Sequence, residues 1–159
     1  MFVMIRVGIN GFGRIGRSFM RAIRSYPDIQ VVAINDPASG ENLAHLLKYD
    51  TTHRRFPEEL FFEDGFLWIG QHQKIRVSHH TDPKRIDWQD LELDFLLESS
   101  GRFKNRAALE PHLSLASKVI LSAPPEDDIP TIVMGINEPS QGSAERIYSN
   151  ASCTTNNAA

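Results

Sequence analysis

At 159 residues, with 41% hydrophobic and 23% charged residues and a formal net charge of −3, the chain has the size and balance of one soluble globular domain. The charge offers no basic face for nucleic acid, and no apolar run approaches the roughly 20 residues that cross a bilayer. Met1-Phe2-Val3-Met4-Ile5 has no basic region or cleavage site, so no signal peptide is expected, and a single cysteine excludes an internal disulfide and fits a reducing cytoplasm.

Ile5, Val7 and Ile9 predict a strand. It runs into Gly11-Phe12-Gly13-Arg14-Ile15-Gly16, after which Phe19, Met20 and Ile23 recur at helical spacing until Tyr26-Pro27-Asp28. Val31-Val32-Ala33-Ile34-Asn35 reads as a buried parallel strand, and Asp36 closes it about 20 residues after the last glycine. A glycine-rich turn alone is weak evidence and is also compatible with a plain structural bend. Between a strand and a helix, with a carboxylate at this distance, it is the arrangement that holds a dinucleotide. Gly11 is expected to permit the turn, Gly13 to let the backbone approach a diphosphate, and Gly16 to let helix and sheet pack closely. A carboxylate at position 36 favours NAD over NADP, because it accepts from a ribose hydroxyl and repels a 2′-phosphate.

Pro37-Ala38-Ser39-Gly40 is a turn, and Leu43, Leu46 and Leu47 place a short helix over 41–49. Three short strands follow at 60–63, 66–69 and 74–77, the first two joined by a hairpin at Glu63-Asp64-Gly65, and together they make a small antiparallel insertion. Asp82-Pro83 breaks the chain, and Ile86-Asp87-Trp88 opens a loop or short helix. Alternation then returns: a buried strand at 93–98 ending in Ser99-Ser100-Gly101, a helix at 105–115, and strands at 118–122, 131–134 and 146–148. The fold class expected is α/β, a doubly wound, mostly parallel sheet. Asn35-Asp36, Ser99-Ser100-Gly101 and Ser122-Ala123-Pro124 follow strand ends and are expected to converge on one cleft at the carboxyl edge. His45, His53, His72, His79, His80 and His112 are assigned to solvated surface, and no metal site is expected.

The only cysteine, Cys153, stands in Ser149-Asn150-Ala151-Ser152-Cys153-Thr154-Thr155-Asn156. A lone cysteine is commonly a small buried hydrophobe. Here it follows a predicted strand and is enclosed by small hydroxyl and amide residues. With Ser152 capping a helix, Cys153 falls in the first turn, where free N–H groups favour the reactive thiolate.

Asn10-Gly11-Phe12-Gly13-Arg14-Ile15-Gly16-Arg17, Ala33-Ile34-Asn35-Asp36, Glu98-Ser99-Ser100-Gly101-Arg102-Phe103, Ser122-Ala123-Pro124, Val133-Met134-Gly135-Ile136-Asn137 and the Cys153 segment together resemble phosphorylating glyceraldehyde-3-phosphate dehydrogenase, in order and spacing, over essentially the whole chain. The resemblance implies that Arg14, Ile15 and Asp36 contact NAD, with Asn10, Gly11, Gly13, Asn35, Ser99, Gly101 and Ser122 lining its site. It implies Cys153 as the nucleophile, with Ser152 and Thr154 holding substrate. The implied glycolytic chemistry is thiolate attack on a phosphorylated aldehyde, hydride transfer to NAD, and release of an acyl phosphate by inorganic phosphate. The resemblance further implies a cytoplasmic homotetramer as parent. Residues 1–159 then correspond to the NAD-binding domain, ending just after the cysteine motif, with the family's second, histidine-bearing catalytic domain absent and this chain inactive by itself. Erythrose-4-phosphate dehydrogenase and a catalytically silent dinucleotide-binding module are the alternatives. Four positions depart from the family pattern. Asn157 stands where a second cysteine is usual, Ser100 where threonine is usual, and His80-Thr81-Asp82-Pro83 where Glu-Arg-Asp-Pro is common, without the arginine that meets adenosine.

Overall fold

The computed structural model describes residues 4–139 and 142–159, so that Met1-Phe2-Val3, part of the stretch in which no signal peptide is expected, lie outside the described residues. The described residues form one eight-stranded sheet in the order β3-β4-β5-β2-β1-β6-β7-β8. Its strands are β1 Ile5–Asn10, β2 Ile29–Asn35, β3 Leu60–Glu63, β4 Phe66–Ile69, β5 Gln73–Ser78, β6 Leu93–Glu98, β7 Ala116–Leu121 and β8 Ile147–Ser149. Helices α1 Arg14–Ala22, α2 Gly40–Lys48, α3 Arg106–Leu109 and α4 Cys153–Ala158 complete it. The β5-β2-β1-β6-β7-β8 run is parallel, while β3, β4 and β5 pair antiparallel. Because β5 also pairs with β2, the antiparallel insertion extends the main sheet.

The core follows from strand periodicity. Alternate residues of β6 point to opposite faces, so Phe95 and Leu97 pack with Val7, Ile9, Met20, Leu43 and Leu47 while Leu96 joins Leu109, Leu115, Val119 and Ile147. A strand covered on both faces is a continuous apolar run, which is why the β6 segment carries little alternation. The 86–88 segment contributes more than a connection. Ile86 and Trp88 are buried, and a Cβ at Gly8 would lie 2.9 Å from the Trp88 ring.

Two expected elements differ. The 105–115 helix is four residues of α-helix followed by a tighter 3-10 turn at Glu110–Ser114. Pro111 lacks the N–H that an α-helix would use there. The 131–134 strand is absent as such: only isolated bridges join Thr131 to Ser149 and Val133 to Asn137. The Asn137 side chain accepts from Val133 N–H and donates to the Thr131 carbonyl, and Gly135 takes φ +81°, so the segment bends back on itself.

Beyond that bend, Glu145 ties the segment to α3. Arg106 donates through both guanidinium nitrogens to its carboxylate (3.2 and 2.8 Å), and the N–H groups of Arg146 and Ile147 add to it. The Arg106 guanidinium holds the Glu145 carboxyl down at about 2. A depressed folded value stabilises fully above the ordinary 4.5, and that contribution is lost as pH falls from 4.5 through about 2. We expect Glu145→Gln to cost about 1 kcal/mol near neutrality, a Tm decrease of about 2–4 °C. The difference from the unsubstituted chain should close by pH 2. Thermal melts at stepped pH measure it; a gap that persists unchanged through that window would contradict this account.

Candidate functional site

β1, β2 and β6 end side by side, and the turns that leave them enclose a cavity of about 160 Å³. Asn10, Gly11, Gly13, Asn35, Asp36 and Ser99 all line it. The first glycine is dictated by two constraints. Gly11 has φ +91°, and a Cβ there would sit 2.4 Å from the Ser100 backbone nitrogen. A Cβ at Gly16 would meet the Gly11 carbonyl at 2.6 Å, so the helix start is packed directly on the turn. Gly13 differs: nothing lies within 4 Å of its Cβ position, and the space over it is open.

The start of α1 has a distinctive chemistry. Ser39, Asn105 and Ser152 cap α2, α3 and α4 with a side-chain acceptor, whereas Gly13 gives α1 none, and the first turn of α1 carries no acidic residue. Its leading N–H groups and positive dipole end are left for an anion. Against the glycine turn, the Asp36 carboxylate accepts from the Phe12 N–H (2.8 Å) and the Ala38 N–H (2.9 Å). It therefore braces the glycine turn. A carboxylate has about four acceptor positions, so two remain for a ligand.

The expected convergence of three strand-end clusters is realised for two. Ser122 lines a different cleft, of about 570 Å³, together with Ile15 and Asn150 and a floor of Phe19, Phe95, Leu97 and Ile120. Neither Ser122 nor Ile15 lines the first cavity, because β7 lies one strand beyond β6 and Ile15 stands two residues past Gly13. Arg14 is exposed at the first position of α1. Gly101, at φ +74°, falls between Ser100 and Arg102, both of which line the first cavity. Arg102 and Thr81 also line the first cavity.

Cys153 is exposed at the first position of α4. Ser152 Oγ accepts the Thr155 N–H (3.0 Å) and bonds the hydroxyls of Thr154 (2.9 Å) and Thr155 (2.7 Å). Ala151 precedes it at φ +59°, a strained conformation for a residue with a side chain, and buried. Asn156 ties the turn down by donating to the carbonyls of Asn150 and Ser152.

One histidine assignment is corrected. His112 is fully buried, with Nε2 3.0 Å from Glu98 Oε2. The signal was its place three residues after Leu109, on the apolar side of the segment. Glu98 is the second residue of the site that the structure adds, and its signal in the sequence is a charged residue ending an apolar strand.

Residues 5–106 match the family described as glyceraldehyde 3-phosphate dehydrogenase, NAD binding domain. The chain belongs to the glyceraldehyde-3-phosphate dehydrogenase family. It is 47% identical over 159 residues to glyceraldehyde-3-phosphate dehydrogenase of Thermotoga maritima, covering 98% of this chain and 47% of that relative. To that of Geobacillus stearothermophilus it is 45% identical over 154 residues, covering 96% of this chain and 46% of the relative. The cytosolic enzyme of Trypanosoma brucei brucei is 43% identical over 155 residues, with 97% and 46% covered. The chain thus spans about half the length of the curated relatives it matches. NAD is the cofactor of this family's domain, and the residues present fit it: open space over Gly13 and an uncapped α1 suit a diphosphate, and Asp36 has acceptor capacity for a ribose. No described helix is long and apolar enough to cross a membrane.

Proposed function

We propose that residues 1–159 are the NAD-binding domain of a cytoplasmic, homotetrameric, phosphorylating glyceraldehyde-3-phosphate dehydrogenase, with Cys153 as its nucleophile. The observation that carries this reading is the uncapped start of α1 beneath the open face of Gly13, with the Asp36 carboxylate at the same sheet edge. The α1 start takes the diphosphate, Asp36 takes the adenosine ribose, and Asn10, Asn35, Ser99 and Gly101 shape the wall. Arg14, Ile15 and Ser122 serve the half of the dinucleotide that extends beyond the first cavity. NAD, when bound, supplies the hydride acceptor.

Cys153 forms the covalent link to substrate: its sulfur adds to the aldehyde carbon, and the same sulfur leaves when inorganic phosphate takes the acyl group. A thiolate suits both roles, since it is a good nucleophile and a good leaving group. Ser152 and Thr154, joined through their hydroxyls, frame that sulfur and hold the phosphorylated aldehyde.

Among the described residues Cys153 has no hydrogen-bonded base, and the only fully buried histidine, His112, is committed to Glu98. This favours binding without turnover for the chain by itself. Calorimetry with NAD, run beside an assay for NADH from glyceraldehyde 3-phosphate, NAD and phosphate, tests it. The expected result is saturable NAD binding and no NADH; erythrose 4-phosphate serves as the competing substrate in any assay of the longer protein. Cys153→Ala should abolish alkylation by iodoacetamide while leaving the NAD Kd within about twofold, since exposed substitutions away from a contact act by under ~0.5 kcal/mol. Loss of NAD binding in that variant would place the cysteine in the cofactor site instead.

A further inference from the structure

Four adjacent strands end in one polar row. Ser78 of β5 stands opposite Asn35 of β2, Asn35 opposite Asn10 of β1, and Asn10 opposite Glu98 of β6. Side chains join the row end to end. Ser78 Oγ donates to Asn35 Oδ1 (3.1 Å), Asn35 Nδ2 to Asn10 Oδ1 (2.8 Å), and Asn10 Nδ2 to Glu98 Oε2. Asn35 also takes the His80 N–H on Oδ1 and donates from Nδ2 to the His80 carbonyl, which fixes the loop after β5.

Glu98 is the anion of the row and is fully buried. One carboxylate oxygen receives Asn10 Nδ2 and His112 Nε2, and the other receives the Ser100 N–H and hydroxyl. Four donors fill the roughly four acceptor positions of a carboxylate. A buried anion that loses a donor bears an unpaired charge, so each donor matters to the other three. His112 reaches Glu98 from the far side, its ring edge-on to Phe103 and its Nδ1 buried without a partner among the described residues. Its Nε2 therefore carries the proton that Glu98 accepts.

A leucine would match the apolar contact that the His112 ring makes with Phe103. What a leucine lacks is the fourth donor to a carboxylate whose other partners, Asn10 and Ser100, both line the cofactor cavity. The Ser100 backbone also packs directly on Gly11, where an added Cβ would lie 2.4 Å from its nitrogen.

We propose that His112 is a positioning residue of the cofactor site: through Glu98 it sets Asn10 and the Ser99-Ser100 turn against the dinucleotide. This rests on the reading that the cavity at Gly11 and Gly13 takes NAD. The test titrates NAD calorimetrically into the chain and into its His112→Leu, His112→Gln and Ile147→Ala variants, and follows amide hydrogen exchange at Ser100 without cofactor. Ile147→Ala hollows the same apolar cluster and touches nothing in the row. We expect His112→Leu to weaken NAD binding about tenfold or more and to speed exchange at Ser100. His112→Gln, whose amide presents a donor near the Nε2 position, should recover most of both. Ile147→Ala should lower Tm at least as far while leaving affinity within about twofold. If His112→Leu does not fold, His112→Asn, too short to reach Glu98, takes its place.

Unchanged affinity in the His112 variant, or equal weakening by Ile147→Ala, overturns the proposal. If the unsubstituted chain ignores NAD, the reading of the cavity fails. Exchange at Ser100 then decides the remaining claim: acceleration specific to His112 variants upholds the positioning contact, and none refutes it.

Discussion

Gly11→Ala is expected to be among the most damaging single methyl additions in this chain. Two independent penalties fall on the same atom. The φ of +91° is a region that costs a residue with a Cβ about 1–2 kcal/mol. The added carbon would also lie 2.4 Å from Ser100 N, 2.5 Å from Ser100 Cα and 2.8 Å from the Ser99 carbonyl carbon. All three are backbone atoms, so no flexible side chain can swing aside. Relief requires moving the turn after β6, which is held by the Glu98 carboxylate. Overpacking of this kind costs about 1–3 kcal/mol more. Together they come to about 2–5 kcal/mol, a large share of the roughly 5–15 kcal/mol that holds a domain folded. A Tm loss of order 10 °C follows.

Gly13→Ala is the paired control. Its Cβ meets nothing within 4 Å and its φ is −71°, so Tm should move by about 2 °C or less. Its effect should appear as weaker NAD binding, because the methyl enters the space over the helix start. Thermal melts and calorimetry on both variants separate an architectural glycine from one that faces ligand. If Gly11→Ala melts with the unsubstituted chain, the packing argument fails. Unaltered NAD affinity in Gly13→Ala puts the diphosphate elsewhere.

What could be read from the residues was whatever depends on local order. The β1 apolar alternation, the three glycines, the β-branched run of β2 and Asp36 lie within 32 consecutive positions, residues 5–36, and each speaks about its neighbours. The same is true of β3, β4 and β5, and of the Ser152 cap on α4. The polar row was not legible, because it depends on register: Asn10 and Glu98 are 88 residues apart and meet only when β1 and β6 pair. His112 was misassigned for the same reason, since its partner is invisible until β6 is in place. Thr131-Ile132-Val133 has strand-forming composition, but its pairing with β8 stops at Ser149, and the Asn137 amide takes the Thr131 carbonyl and the Val133 N–H as the chain bends back. Ser122 was placed by the rule that parallel strand ends share one edge. The rule holds, yet the edge carries two cavities, and β7 belongs to the second.

The Asp36 carboxylate should show the largest effect on cofactor choice, and its structural duty shapes how the experiment reads. It accepts the Phe12 and Ala38 N–H groups whether or not a ligand is present. Asp36→Ala removes both braces and the ribose acceptor at once, so lower affinity alone does not tell grip from scaffold. Asp36→Asn keeps one acceptor oxygen for the turn and removes the charge. Hydrogen bonds to a charged group are worth about 1.5–3 kcal/mol, which predicts NAD binding weaker by roughly ten- to a hundredfold in either variant. The discriminating quantity is the ratio of NADP to NAD affinity. A scaffold defect weakens both dinucleotides together, whereas loss of a negative charge beside the 2′ position removes repulsion from the 2′-phosphate and raises that ratio. We expect the ratio to rise in Asp36→Asn, with Tm lowered by no more than a few degrees. Calorimetric Kd values for both dinucleotides, set beside thermal melts, measure it. If NAD and NADP fall in parallel, Asp36 is a brace for the glycine turn and the ribose is held by another residue.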